Sequence, residues 1–385
     1  MKHQKGKWSV NSRRTALAFV LTLGCLLVGC SSTAPPLTVI PTAEALKPVG
    51  LQVYWDLQVR LEPDDKVTKL ILAEDLLLLL TRDNRLIAVD GVRGVVRWSI
   101  RLTSSGYPLL LPTRHGKDLF VIADTVLKIL DAKNGKVRAE KFLDFPAGTS
   151  PVSDGNTIFI GGRNRIFHVL DAADRLEMWR SLADGAFVGR AGFNQKVVVF
   201  ASQGGDVYCM PKKKRELLWS YKTADAVTAD VVVTETTALV AGVDTSLYCF
   251  DLEEGRIRWQ YRAATSLFQS PWLVGELILL EAGERGLVGL DAESGKPRWS
   301  IPKAKAPLGR HGGDLYIEAD KGRILRVSQS DGKITGEITT PFSLKVPHAA
   351  TNAVFLGTPS GKIVCMRPIT VERLRPKDLS ESSAR

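Results

Sequence analysis

A pattern of about forty residues recurs through most of this chain, and that period constrains the fold more than any other feature. The segment LIAVDGVRGVVRW (86–98) returns as LYCFDLEEGRIRW (247–259) and as LVGLDAESGKPRW (287–299). Each copy has an Asp, then a Gly four residues on, then a Trp four further. Weaker copies are LKILDAKNGKVRA (127–139), IFHVLDAADRLEMW (166–179), VYCMPKKKRELLW (207–219) and ILRVSQSDGKITG (324–336). The Asp position falls at 90, 131, 171, 211, 251, 291 and 328, in steps of 41, 40, 40, 40, 40 and 37. A partial eighth copy, IVCMR, occupies 363–367.

The unit reads physically as strands and turns. LYCF and LIAV are strand-length runs of apolar residues. Asp-x-x-x-Gly is a hairpin turn, in which Asp bonds the nearby backbone and Gly supplies a positive φ. The Trp sits on the returning strand. Upstream of each unit lies a second hairpin, as in SPVSDGNTIFIGG (150–162) and SPWLVGELILLEAG (270–283). Four short strands per unit is the make-up of a propeller blade. A solenoid is the competing repeat architecture, and closure argues against it. The last copy stops after its third strand, near Arg367, while LQVYWDLQVRL (51–61) carries a Trp and has no preceding partner. Pairing the two completes the last blade and leaves no open edge. The Trp position is then held by Trp55, Trp98, Ala139, Trp179, Trp219, Trp259, Trp299 and Gly336. The expectation is an all-β chain, an eight-bladed β-propeller over residues 51–367 whose N-terminal strand closes the last blade.

This pattern resembles the PQQ-type propeller repeat, named for the pyrroloquinoline quinone enzymes. The resemblance implies that each Trp docks against the neighbouring blade. The blades with Ala139 and Gly336 at that position are expected to be held least tightly.

The chain begins with an export signal. Residues 1–14 are polar and basic, and TALAFVLTLGCLLVG (15–29) is apolar and uncharged. About 15 apolar residues are too few to span a bilayer, which takes about 20. The run ends in Leu27-Val28-Gly29-Cys30, which resembles the bacterial lipobox. That implies cleavage before Cys30 and acylation of its thiol, a stable anchor once more than one chain is attached. Ser31, rather than an Asp, follows the Cys, which points to the outer membrane. Ser12-Arg13-Arg14-Thr15-Ala16-Leu17 resembles a twin-arginine motif, and it also reads as an ordinary basic leader. Residues 30–50 are rich in Ser, Thr, Ala and Pro and read as a lipidated tether; residues 368–385 read as a frayed tail. The net charge of +11 is partly the leader's: without its five basic residues, 47 basic and 41 acidic residues leave +6. So mild and dispersed a balance is no nucleic-acid footprint.

The residues that carry chemistry elsewhere are dispersed here. The sequence lacks the vicinal Cys-Cys pair of the quinone dehydrogenases, and the connections between repeats are too short to build a catalytic platform, so no cofactor is expected. Cys209, Cys249 and Cys365 share one repeat position and read as small apolar core residues. His115 and His311 share a turn position, and His168 lies on a strand. No metal site, nucleophile elbow or phosphate loop is present in the sequence. The run Lys212-Lys213-Lys214-Arg215 replaces one Asp-to-Gly turn. It reads as a solvated hairpin, or as a basic knob for an acidic partner or anionic headgroups.

Lipobox, tether and eight-bladed repeat together resemble the BamB family of outer-membrane lipoproteins. The resemblance implies a non-enzymatic scaffold, anchored by lipid, facing the periplasm and docking on a BamA-like β-barrel insertase. The family's docking loop carries a Leu-rich stretch ending in Arg-Gly-Glu-Ser. AFVGRAGF (186–193) places Arg190 there and lacks the Glu-Ser. Two other readings stay open: a PQQ-repeat lipoprotein binding a different envelope protein or a glycan, and, more distantly, a quinone-dependent dehydrogenase. A glycan binder would bring aromatic and polar residues together on the central funnel.

Overall fold

A computed structural model describes residues 40–373. Residues 1–29, read as an export signal, and Cys30, read as its lipidation site, lie outside the described residues. The described chain forms eight antiparallel sheets of four strands each. In the fifth blade the strands run from Val232–Val233 at the centre through Thr237–Ala241 and Ser246–Asp251 to Ile257–Arg262 at the rim. The eighth blade joins the chain's two ends. Its strands are Leu344–Lys345, Val354–Gly357 and Lys362–Pro368, and the fourth is Leu51–Gln58. Leu51 lies opposite Pro368 and Gln58 opposite Lys362, so the ring closes with the first strand, as expected.

Burial follows position in the blade. Middle strands are covered on both faces by neighbouring blades, so they carry continuous apolar runs: Leu76–Thr81 is buried throughout. Outer strands keep one face in water and alternate. In Val96–Arg101 the single fully buried residue is Trp98.

Each indole docks on the next blade. The Nε1–H of Trp98 donates to the Ala132 carbonyl at 2.9 Å, Trp179 to Lys212 at 2.9 Å and Trp219 to Leu252 at 2.8 Å. Trp259 donates to Ala292 at 3.1 Å, Trp299 to Gln329 at 3.0 Å and Trp55 to Gly91 at 3.2 Å. The turn glycine of the receiving blade has a second duty here. Gly255 has φ +70°, and a Cβ on it would sit 2.4 Å from the Trp219 ring. Gly94 stands in the same way under Trp55. Where Ala139 replaces the Trp, the next blade's turn carries Arg175 at φ 65°, a side chain that no indole forbids.

The turn Asp does more than bond its own backbone. Asp251 Oδ1 accepts from the backbone N–H groups of Glu253 and Glu254, and Oδ2 binds Arg258 at 2.7 Å. The same Asp-to-Arg link, seven residues apart, occurs at Asp90–Arg97, Asp131–Arg138 and Asp291–Arg298.

The blade with Gly336 is closed differently. Thr42 caps a short helix, Ala43–Leu46, which runs into a 3-10 turn, Lys47–Val49. A Cβ at 336 would lie 2.0 Å from the Pro48 carbonyl oxygen, so the N-terminal turn fills the space an indole takes elsewhere. Leu46 and Val49 are fully buried with Leu308, Tyr316 and Ile338. The folded body therefore begins near Thr42, inside the stretch read as tether. The tail is likewise held as far as Arg373, whose Nε donates to Gln52 Oε1 at 3.0 Å.

Candidate interaction site at the channel mouth

The innermost strands converge on a central channel, and the connections that lead into them shape its mouth. The blades come closest at their inner edges. A Cβ on Gly189 would lie 2.2 Å from the Ala229 carbonyl oxygen, and one on Gly192 2.5 Å from that of Val231. The backbones of blades four and five bond directly there, Val231 N–H to Arg190 carbonyl at 3.0 Å. This is far tighter than the ~10 Å between packed sheets.

Arg190 and Asp230 are forty positions apart and face each other across this edge. The Arg190 backbone N–H donates to Asp230 Oδ1 at 2.8 Å, and its Nε and Nη2 reach Oδ2 at 2.8 and 2.6 Å. The pair stays open to water, with side-chain exposures of 42% and 32%. Around it lies a pocket of about 630 Å³ walled by Phe193, Thr228, Phe268, Gln269, Ser270 and Trp272. Phe268 is 64% exposed, and the Thr228 hydroxyl is buried with no hydrogen-bond partner among the described residues. A second pocket of about 700 Å³ continues along the channel past Arg114 and His348; Val152, Arg190 and Phe193 border both.

His348 had no signal in the repeat. Its Nε2 bonds the Ala353 carbonyl at 2.9 Å, its Nδ1 has no partner among the described residues, and burial pushes its pKa down to about 4.

The basic run is not a uniform knob. Lys212 is only 12% exposed; its Nζ binds Asp154 and lies 5.9 Å from the centre of the Phe193 ring. Although burial raises the Asp154 pKa, Lys212 and the N–H groups of Asn156 and Thr157 outweigh it and hold the carboxyl low. Lys214 pairs with Glu216. Lys213 lines a groove with Asn156, Asp171 and Met178.

None of the other singled-out residues lines the two pockets at the mouth. Cys209, Cys249 and Cys365 are free and buried, and burial pushes their thiols up to about 12, 11 and 12. His168 is buried, stacks on Phe145 with ring centres 3.5 Å apart and bonds Glu177 at 2.7 Å. His311 Nε2 meets the Thr370 hydroxyl at 3.1 Å, and His115 lies on the short strand Thr113–His115. Among the described residues no three His, Cys, Asp or Glu side chains gather to hold a metal, and no helix is long and apolar enough to cross a membrane.

The model of one family, outer membrane protein assembly factor BamB, matches residues 52–161, 123–225 and 203–374. The chain belongs to that family. The BamB match spans the whole ring, from the closing strand past the last blade. Among solved structures, the crystal structure of BamB from Moraxella catarrhalis is similar with a TM-score of 0.65 at 13% identity. That likeness covers 82% of this chain and 99% of the Moraxella one. The computationally designed Ika8 protein gives a TM-score of 0.64 at 13% identity, over 79% and 96% of the two chains. At such identity these likenesses speak for the propeller alone. No curated protein matches the chain.

Proposed function

We propose that this protein is a non-enzymatic scaffold of the cell envelope that assists assembly of outer-membrane β-barrels. It is exported, held by acyl chains on Cys30 at the outer membrane, and faces the periplasm. Its partner is the periplasmic part of a BamA-like insertase, met at the channel mouth around Arg190.

The observation that carries this reading is the Arg190–Asp230 pair. Asp230 takes the Arg190 backbone N–H and two of its guanidinium nitrogens, so the side chain is held in one pose while still 42% exposed. A preoriented, solvent-facing Arg is the kind of residue that anchors an interface, because little rotamer freedom is lost on binding. Asp230 is a positioning partner that no motif in the sequence singled out. Short connections between blades favour a scaffold over an enzyme: only residues 143–151 separate the last strand of the second blade from the first of the third.

Affinity capture from envelope extract tests the reading. The tagged wild-type chain retains the insertase, and Arg190→Glu retains much less while melting at the wild-type temperature. Equal retention by the variant removes Arg190 from the interface.

A further inference from the structure

We propose that the pocket at the channel mouth binds a neutral saccharide. This goes beyond protein docking and stands or falls separately from it.

Among the described residues the pocket's one cation, Arg190, and one anion, Asp230, neutralise each other, so the walls attract neither a polyanion nor a cation strongly. What remains unpaired is neutral and able to donate and accept. Thr228 keeps a buried hydroxyl with no partner among the described residues. The Gln269 amide and the Ser270 hydroxyl border the same space and enter no hydrogen bond among the described residues. Arg190 spends Nε and Nη2 on Asp230 and has further N–H groups to offer. Hydroxyls and an amide beside an ion pair suit the adjacent hydroxyls of a sugar ring, each a donor and an acceptor.

The apolar part of the wall is aromatic. Trp272 and Phe193 are half-buried and Phe268 is 64% exposed, so three aromatic side chains border one pocket with faces open to it. Flat faces of that kind stack on the C–H face of a pyranose. At about 630 Å³ the pocket falls within the usual range for a small-molecule site, roughly 300–1,000 Å³.

An extended peptide fits less well. Peptides recognised by strand addition need a free sheet edge. Here the inner strands Gly192–Phe193 and Val232–Val233 are two residues long, and the Val231 N–H beside them is already taken by Arg190.

Ligand-observed NMR on the full-length protein decides the question. The probes are maltotetraose, N-acetylchitotetraose, the anionic tetragalacturonate and a short threonine-rich peptide. Phe268→Ala and Gln269→Ala alter exposed or uncommitted side chains, and both are checked for wild-type melting. The proposal expects saturable binding of a neutral oligosaccharide, weakened about tenfold by Phe268→Ala and measurably by Gln269→Ala. It is overturned if neither neutral sugar binds, if both variants bind as wild type does, or if the polyanion or the peptide is preferred. Loss of insertase capture by Arg190→Glu with no sugar binding would leave the docking reading standing and this one refuted.

Discussion

The indole N–H of Trp219 donates to the Leu252 carbonyl 2.8 Å away, tying the fourth blade to the fifth, and Gly255 lies against the face of the same ring. One side chain thus supplies a buried hydrogen bond and apolar contact across the joint. Trp219→Ala is expected to cost about 3–5 kcal/mol and lower the melting temperature by several degrees. Thermal unfolding followed by circular dichroism measures it. An unchanged melting temperature would mean the joint holds without the ring.

Gly255 and Trp219 are predicted to be coupled. At φ +70°, with the ring 2.4 Å from any added Cβ, Gly255→Ala is expected to destabilise by about 1–3 kcal/mol. In the Trp219→Ala background the steric part of that cost disappears, so the double variant is less destabilised than the sum of the two. Strict additivity in a double-mutant cycle contradicts the shared contact.

How much of this was legible in the sequence depended on repetition. Asp, Gly and Trp recur at fixed spacing, so blade number and ring closure could be counted. The second role of Gly could not, because the ring it meets lies in the preceding blade. Arg at seven residues past the Asp was visible in four copies, yet nothing in the spacing said that it closes on that Asp. Arg190 and Asp230 lie forty positions apart, about one repeat, but no motif marks Asp230 as a partner. Gly189 and Gly192 bring the inner edges together, and that convergence belongs to the ring rather than to any one unit. His348 and the 42–50 segment fall outside the repeat, and so outside what the period can reveal.

The N-terminal turn yields a prediction of its own. Leu46 sits in a stretch that reads as tether, yet it is fully buried on the seventh blade. Leu46→Ala is expected to cost about 2–5 kcal/mol, a loss no flexible linker residue would show. Chemical denaturation of wild type and variant reads the difference directly.

Acid sensitivity is predicted to run in part through His348. Burial holds its folded pKa at about 4, below the ~6.5 of an unfolded chain. The unfolded state therefore binds a proton that the folded state refuses between those values. Stability falls as pH drops from about 6.5 to about 4 and levels off below. His348→Gln, which keeps an N–H donor for the Ala353 carbonyl, is expected to flatten that part of the pH–stability curve. An unchanged slope across this window assigns the acid response to other groups.

The central claim is that this propeller assists outer-membrane β-barrel assembly. Quantifying folded β-barrel proteins in outer-membrane fractions, with and without the gene, tests it most directly. The account predicts a fall on deletion that wild-type protein restores and Arg190→Glu restores poorly. Undiminished barrels in the deletion strain would contradict it.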